Sequence, residues 1–363
     1  MKRLIVFSAT GFLIVATIVL LMRVGPGASP AKAQDPPPMP TPAEQLAQAE
    51  QLRFQLKWDE AIALLREVVA RQQEDRASAA KAQARIGKYL LDKGKAEEAR
   101  PELNLVLDAF GDVGEAVFWA RVHLIDVLFA SNELTQAEAW ATQLADDVTL
   151  SPQQRAWGQV KQAEVDLERC AKEIAAERLS DLVQAAGDQT SEPHNWARVR
   201  LAQIATQAGI ADEAIAIADA IVADHGNDKA TDQQVVWGLI WKGRALAQKG
   251  QYEATVASLS MAGAVSQGKY PDLTYETEMQ LGETYRQDNK HVAAWQHYER
   301  AFSVGASVSL SEHQLDHACL QVGSELRHLG MRERGIAWLR MAIKDPAGFT
   351  GMDHSSPNAW SRS

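Results

Sequence analysis

A thirteen-residue pattern that returns along the chain constrains the fold more than any other feature. It runs from Gly87 to Ala99, with Gly94 inside it, and returns from Gly243 to Thr255 and from Gly282 to Ala294. Each copy places a small residue on one helix, a residue that ends this helix, and a second small residue on the next helix. An internal repeat of this kind predicts stacked helix pairs.

The pattern keeps its register over eight copies. Its second-helix marker recurs every 38 to 41 residues, at Ala61, Ala99, Ala137, Ala175, Ala214, Thr255, Ala294 and Gly335. Twelve residues before these markers stand Ala49, Gly87, Ile125, Ala163, Ala202, Gly243, Gly282 and Gly323. Five residues before the marker, six copies carry a residue that tolerates left-handed backbone: Gly94, Asn132, Gly209, Gly250, Asn289 and Gly330.

These columns resemble the tetratricopeptide-repeat (TPR) family, in which small residues let paired helices pack closely. The resemblance covers about residues 42–345 and implies an all-α fold, a right-handed superhelical solenoid of about eight TPR-like helix-turn-helix repeats. It also implies that the first helix of each repeat lines the concave face. The fourth repeat matches least well, because Cys170 stands where the turn Gly belongs.

Two features depart from the family pattern. The repeats exceed the usual length of about 34 residues, and no Pro follows the second helices. Gly111, Gly187 and Gly226 stand there instead, and we expect them to end these helices in the left-handed conformation. Longer first helices explain the extra length, because four of them begin with capping-box spacing: Thr41 with Glu44, Ser151 with Gln154, Thr231 with Gln234, and Ser311 with Gln314.

The N-terminal residues have the pattern of an export signal. Lys2 and Arg3 precede an apolar run at residues 4–22, and Ala31-Lys32-Ala33 has the small-x-small form of a cleavage site. Residues 1–24 are therefore predicted to be a signal peptide or, because the run is just long enough to span a bilayer, a transmembrane anchor. Both alternatives export the remainder to the periplasm or cell envelope, either anchored in the inner membrane or released after cleavage near Ala33.

Two segments outside the repeats are predicted to have no core of their own. Residues 25–41 are predicted to be a Pro-rich linker, and residues 346–363 a disordered tail.

The net charge limits the possible partners. A net charge of −10 disfavours nucleic acid and anionic lipid as partners. Contact with a membrane is therefore expected only through the N-terminal segment.

The chain carries no pattern typical of an enzyme. Because it lacks a nucleophile elbow, a phosphate-binding loop and a dinucleotide fingerprint, we predict neither catalysis nor a cofactor. His313 and His317 are four residues apart, but Gln314 replaces the Glu of a zinc hydrolase, so we interpret them as solvated or partner-facing rather than as metal ligands. Cys170 and Cys319 stand several repeats apart and are predicted to be unpaired thiols.

The candidate site is a column of tryptophans with two arginines. The same position, counted back from the marker, holds Trp in four successive repeats, and Trp241 follows one turn after the last of them. Trp and Arg are enriched at binding hot spots. The predicted partner-binding residues are Trp119, Trp157, Trp196, Arg200, Trp237, Trp241 and Arg244. Two alternatives remain open: the Trp rings only wedge against the preceding repeat, and the Arg side chains only cover them.

The sequence therefore predicts a non-catalytic protein–protein interaction or scaffold protein of the bacterial cell envelope. It would bind a peptide or protein partner in the concave groove, through a stretch of groove from Trp196 to Arg244 that reads as basic and aromatic. The alternative is a self-associating scaffold, a homo-oligomer formed through the last repeat. That repeat carries Ile336 and Ile343 on the side where a capping helix would normally lie.

Overall fold

Sixteen helices make up the described part of the chain, which the computed structural model covers at residues 40–187, 190–226, 229–308 and 310–342. Consecutive helices form eight helix-turn-helix repeats, so the predicted all-α, right-handed solenoid is confirmed. The helices are α1 (Pro42–Phe54), α2 (Trp58–Ala70), α3 (Arg76–Asp92), α4 (Ala96–Ala109), α5 (Gly114–Ala130), α6 (Leu134–Asp146), α7 (Pro152–Glu168), α8 (Lys172–Ala186), α9 (Glu192–Gln207), α10 (Ala211–His225), α11 (Asp232–Gln248), α12 (Tyr252–Ser266), α13 (Pro271–Gln287), α14 (His291–Ser307), α15 (Glu312–His328) and α16 (Arg332–Ala342).

Several predictions concern residues outside this part of the chain. The signal or anchor segment, nearly all of the Pro-rich linker, Ile343 and the C-terminal tail lie outside the described residues. Of the helices that can be described, none combines the length and the apolar character needed to cross a membrane.

The turn inside each repeat has the same left-handed backbone. Within this turn, one residue per repeat has φ between 57° and 80°: Leu56, Gly94, Asn132, Cys170, Gly209, Gly250, Asn289 and Gly330. In the fourth repeat the N–H of Cys170 donates to the Leu167 carbonyl (2.9 Å) and the N–H of Ala171 to the Asp166 carbonyl (2.8 Å). This is the Schellman pattern that satisfies the end of a helix. The turn therefore forms even where the sequence offers no Gly.

The small residues set the distance between the two helices of a repeat. The second-helix markers from Ala61 to Ala294 are almost fully buried. A Cβ on Gly323 would lie 2.9 Å from the carbonyl oxygen of Gly335, twelve residues later, as the pattern predicts. A Cβ on Gly87 would instead lie 2.4 Å from the side chain of Leu103, four residues beyond the Ala99 marker. Larger residues at these glycines would push the helices apart.

The predictions from the sequence agree with the structure better at the helix starts than at the helix ends. The capping boxes at Ser151, Thr231 and Ser311 are confirmed, and most first helices have 17 residues. Gly187 has a positive φ of 51°, but its ψ of −125° lies outside the left-handed helical region, and Gly111 and Gly226 have no positive φ, so the expected left-handed ends are wrong for all three. Gly226 has φ −61° because it continues the helical turn, donating its N–H to the Val222 carbonyl.

The solenoid turns back toward its own start. The ring of Phe54, at the end of α1, packs edge to face against Tyr270, the residue before α13, with 4.9 Å between ring centroids and 88° between ring planes. Tyr270 is buried, and Phe54 packs against the same apolar cluster as Tyr270 and Leu273. The first repeat therefore contacts the start of the seventh, and the concave face between them is partly enclosed.

Candidate functional site

A cavity of about 1320 Å³ lies on this enclosed concave face. Its wall consists mainly of side chains from α1, α3, α5, α7 and α9, with residues from the starts of α11, α13 and α15 closing one side. The first helices therefore line the inner surface, as the TPR resemblance implies. The volume exceeds the roughly 300–1,000 Å³ of sites for drug-sized ligands and suits a longer segment of chain.

Three of the predicted tryptophans form one side of the cavity. Trp119, Trp157 and Trp196 line it in three successive repeats. The rings of Trp119 and Trp157 are 5.6 Å apart and meet edge to face, and Trp119 stacks on His123 at 5.8 Å. Each indole is half-buried and also packs against the apolar core of its repeats. Packing and cavity lining are thus two roles of the same rings.

A chain of ion pairs crosses the same wall. The ammonium of Lys161 lies 2.5 Å from Asp126 in the preceding repeat and 2.8 Å from Glu164 on its own helix. Glu164 in turn lies 2.9 Å from the guanidinium of Arg200 in the next repeat. The network links α5, α7 and α9, so it fixes the relative positions of the helices that carry the three tryptophans.

Burial and charge act in opposite directions in this network. Burial alone would raise the pKa of Asp126, but the Lys161 ammonium and the His123 ring together outweigh it and hold this pKa well below its ordinary value. Burial likewise opposes the charge of Lys161, and Asp126 and Glu164 raise its pKa above the ordinary value. Burial would also raise the pKa of Glu164, but Lys161 and Arg200 lower it below its ordinary value, so Asp126, Lys161 and Glu164 all remain charged at neutral pH. His123 Nδ1 lies 3.5 Å from Asp126 and has no hydrogen-bond partner among the described residues.

The other cations of the cavity wall are largely paired as well. Four lysine and arginine side chains from repeats one and two each contact a carboxylate within 2.8 Å: Arg53 with Glu50, Lys81 with Glu115, Lys88 with Asp92, and Lys93 with Asp59. The hydroxyl of Tyr89 also donates to Glu50 at 2.6 Å. Lys57 and Arg85 also line the wall and form no ion pair with a described residue, so part of its positive charge stays unpaired.

Three carboxylates of the wall form no ion pair with a described residue: the exposed Glu60, and the partly buried Glu192 and Asp272. Glu192 begins α9, and Asp272 stands in the first turn of α13. Neither forms an ion pair with any described residue, and burial raises the pKa of both. Glu192 stands one helical turn before Trp196, and both residues line the cavity. Glu192 is therefore an acidic side chain without an ion pair beside the aromatic wall, whereas the charge of Arg53 acts on Asp272.

The sequence reasoning missed these carboxylates, although a signal was present. The column four residues before each Trp position reads Glu115, Gln153, Glu192, Gln233 and Asp272 in five successive repeats. Four of these five residues line the cavity. Acids in a first helical turn usually stabilise the helix, so this column alone does not indicate a binding site.

The remaining predicted residues lie elsewhere. Trp241 and Arg244 line a second cavity of about 380 Å³, and Trp237 lines neither of the two. The rings of Trp237 and Trp241 stack at 6.5 Å, and the guanidinium of Arg244 lies 4.5 Å from the centroid of Trp241. The Arg side chain thus covers a buried Trp, as the packing alternative describes.

The prediction of a basic stretch of groove from Trp196 to Arg244 is wrong, because both of its arginines are paired with carboxylates. Arg200 pairs with Glu164 from the preceding repeat, and Arg244 pairs with Glu276 from the following repeat at 2.5 Å. The prediction considered only the charges within repeats five and six, whereas the carboxylates that neutralise Arg200 and Arg244 lie in adjacent repeats. Neither guanidinium is free to receive an anionic ligand without giving up its partner.

No metal centre is evident in the part of the chain that the structure describes. Those residues contain no group of three His, Cys, Asp or Glu side chains placed to hold a metal ion. The ring of His317 lies 3.2 Å from the amide of Gln321. Cys170 is exposed, Cys319 is buried, and both are free thiols.

Comparison with solved structures supports the fold. A Rap protein complexed with Competence and Sporulation Factor matches with a TM-score of 0.53 and 12% identity, over 84% of this chain and 97% of that one. The apo form of RapI matches with a TM-score of 0.54 and 10% identity, over 73% and 76% of the two chains. A signal-transduction ATPase with a tetratricopeptide repeat sensor, from Pyrococcus horikoshii, matches with a TM-score of 0.52 and 13% identity, over 79% and 47%.

These similarities establish a TPR-type fold at low sequence identity. The sequence matches no protein-family model, and no curated protein matches it.

Proposed function

We propose that this chain is a non-catalytic scaffold that holds an extended segment of a partner protein or peptide in the cavity walled by Trp119, Trp157 and Trp196. The observation that carries the proposal is the cavity itself. It is lined by the first helices, it exceeds the size of a small-molecule site, and large amphipathic rings project into it. The similar Rap structure, which holds a bound factor, supports a binding role for such a fold.

The wall is suited to binding because it is held in place before any ligand arrives. The Asp126–Lys161–Glu164–Arg200 chain fixes three helices, and each indole is anchored on one side by the core. A ligand therefore does not have to order these side chains, which lowers the entropic cost of binding. Export to the cell envelope, supported by residues 1–33 of the sequence, would expose this cavity to partners outside the cytoplasm.

A displayed library of short random peptides, selected on the full chain, tests the proposal. We expect a shared motif to be enriched, and the selected peptide to bind Trp157→Ala about tenfold or more weakly, because Trp truncation at a hot spot costs about 2 kcal/mol or more. Trp237→Ala is the matched control, since Trp237 lines neither cavity. Circular dichroism and thermal melting check that both variants fold.

Two outcomes would contradict the proposal. One is a selection that enriches no motif on the intact chain. The other is a peptide that binds Trp157→Ala and the parent protein equally, which would place the binding surface elsewhere. The self-associating alternative stays a prediction, and sedimentation of an Ile336→Glu variant tests it. Loss of an oligomer seen in the parent would support it, and a monomer in both would remove it.

A further inference from the structure

The second cavity lies farther along the helices that also line the first cavity, the one walled by Trp119, Trp157 and Trp196. It is lined mainly by the C-terminal halves of α9, α11 and α13, whereas residues nearer the starts of the same helices line the first cavity. From Trp196 to Thr206 the distance along α9 is about 15 Å, at a rise of about 1.5 Å per residue. The two cavities are therefore neighbouring parts of one inner surface.

A column of glutamines lines the second cavity. Each of α9, α11 and α13 ends on a glutamine, so that Gln207, Gln248 and Gln287 occupy the same position in three successive repeats. The other five first helices of the described solenoid end on other residue types. The column is therefore particular to the repeats that form this cavity.

The two charged residues that line the second cavity are already paired. The guanidinium of Arg244 contacts Glu276 at 2.5 Å and donates to the side chain of Gln280 at 3.0 Å. Glu283 forms an ion pair with Arg286, one turn further along its own helix. A charged ligand would compete with one of these partners, whereas an uncharged ligand would not.

Each glutamine of the column uses only part of its amide group. Gln248 Nε2 donates to the Thr206 carbonyl at 2.9 Å, and Gln287 Nε2 donates at 2.8 Å to a carboxylate one turn earlier on its own helix. Gln207 Oε1 accepts from Lys172 Nζ at 3.4 Å. These contacts orient the amides. They leave Oε1 of Gln248 and of Gln287 as acceptors, and Nε2 of Gln207 as a donor, without a hydrogen-bond partner among the described residues.

A peptide main chain offers the groups that these amides lack. It carries no charge, and it presents N–H donors and C=O acceptors at every residue along its length. The ring of Trp241 offers little surface for stacking, because it is 7% exposed and the Arg244 guanidinium lies 4.5 Å from its centroid. Recognition in the second cavity therefore depends on the amides, which suit an extended chain that passes three successive repeats.

The inner face of α9 joins the two cavities. Arg200 lines the first cavity and donates to Gln203 at 3.2 Å, and Gln207 follows one turn later on the same helix face. An extended chain rises about 3.3 Å per residue, so about five residues span the distance from Trp196 to the glutamine column. A segment held by the first cavity therefore reaches the second with a short extension.

From this placement we infer that the second cavity binds the main chain of the same partner segment, through the side-chain amides of Gln207, Gln248 and Gln287. The inference rests on the proposed function, because it takes the segment in the first cavity as given. It assigns the two cavities different roles. The tryptophans recognise side chains of the partner, and the glutamines add affinity that does not depend on its sequence.

The test starts from the short peptide selected on the full chain and extends it by six residues, at the N-terminus in one version and at the C-terminus in the other. We expect one of the two extended peptides to bind about tenfold more tightly than the short one, because it gains two or three hydrogen bonds. Shuffling the six added residues should keep this gain. N-methylation of alternate added residues removes main-chain N–H donors and should abolish it.

A Gln207→Ala/Gln248→Ala/Gln287→Ala triple variant tests the protein side of these hydrogen bonds. It should bind the short peptide as the parent does and lose the gain from the extension. Gln251→Ala is the matched control, because Gln251 is also exposed, lines neither cavity and makes no side-chain cap hydrogen bond. All three glutamines of the column are exposed, so the triple variant should keep its fold, which circular dichroism checks. The N-methylated peptide tests the same hydrogen bonds on the unaltered protein.

The outcomes separate the inference from the proposed function. A short peptide that gains nothing from either extension overturns the inference and leaves peptide binding in the first cavity intact. A gain that survives in the triple variant or after N-methylation overturns it too, as does a gain that depends on the order of the added residues. Equal loss in Gln251→Ala has the same consequence. Failure to enrich any motif overturns both.

Discussion

The rings of Phe54 and Tyr270 meet edge to face, 4.9 Å apart, and join the first repeat to the start of the seventh. The guanidinium of Arg53 lies 4.2 Å from the centroid of the Phe54 ring, so this ring has an aromatic neighbour and a cationic one. Arg53 also forms an ion pair with Glu50 at 2.8 Å, which holds it beside the cavity. The enclosure of the concave face thus depends on a small number of contacts at one point.

Phe54→Ala should open this enclosure. An edge-to-face pair contributes about 1 kcal/mol beyond the area it buries, and its loss removes the contact between distant repeats. We expect a larger radius of gyration in small-angle scattering and a modest fall in thermal stability. Phe302→Ala is the control, because Phe302 pairs with Trp338 in the next repeat at 5.0 Å. It should lower stability without the same change in dimensions, and equal expansion of both variants would refute the closing role.

Lys161→Met should destabilise the chain strongly. Lys161 is only 8% exposed, and its removal leaves Asp126 and Glu164 partly buried without their shared cation. Breaking a buried pair from one side costs about 3–5 kcal/mol. Lys93→Met is the comparison, because the partner Asp59 is 84% exposed and such surface pairs contribute about 1 kcal/mol or less. Urea denaturation measures both, and similar losses would show that burial of the network matters little.

Acidification should weaken the same network. The pKa of Asp126 is held below its value in the unfolded chain, which is about 3.9. The folded state therefore gains stability from this group above about pH 4 and loses it as the pH falls through that range. Asp126→Asn should flatten the decline of the unfolding free energy below about pH 5, as the pH falls toward the lowered pKa. An unchanged pH dependence in the variant would show that other carboxylates control it.

Cys170→Gly should stabilise the fourth repeat. Cys170 adopts φ 61°, where a side chain costs about 1–2 kcal/mol relative to the right-handed region. Gly removes most of that cost, although its greater freedom in the unfolded chain offsets part of the gain. We expect the unfolding free energy to rise by up to about 1 kcal/mol. Asn132→Gly should change it less, because Asn tolerates φ 58° better. A loss of stability in Cys170→Gly would show that the thiol makes a contact of its own.

Much of the fold follows from the sequence because the repeat is a local pattern. The Ala and Gly columns place each helix against its neighbour, and Gly323 and Gly335 meet where their spacing predicts. The Trp column also has the right register, with Trp119, Trp157 and Trp196 in one wall. These features depend on contacts within one repeat or between adjacent repeats, and the spacing of residues in the sequence predicts contacts over that range.

The parts of the site that the sequence did not reveal depend on longer distances. Arg200 finds its carboxylate 36 residues away on the preceding first helix, so counting charges within a repeat assigns it the wrong role. The meeting of Phe54 with Tyr270 depends on the rotation accumulated over six repeats, and small changes in each step would separate them. Trp237 does not line the cavity, although it occupies the same position in its repeat as Trp196 and Gln233 on the same helix does line it.

The contact at Phe54 also affects the order in which the chain can fold. In stacked repeats each unit normally completes its contacts with its neighbours in sequence, so folding can follow synthesis from the N-terminus. Here the first repeat reaches its final environment only after Tyr270 has been made, on the order of tens of seconds later at common rates of synthesis. A chain released before the seventh repeat would carry all three tryptophans of the wall but would lack the residue that closes it.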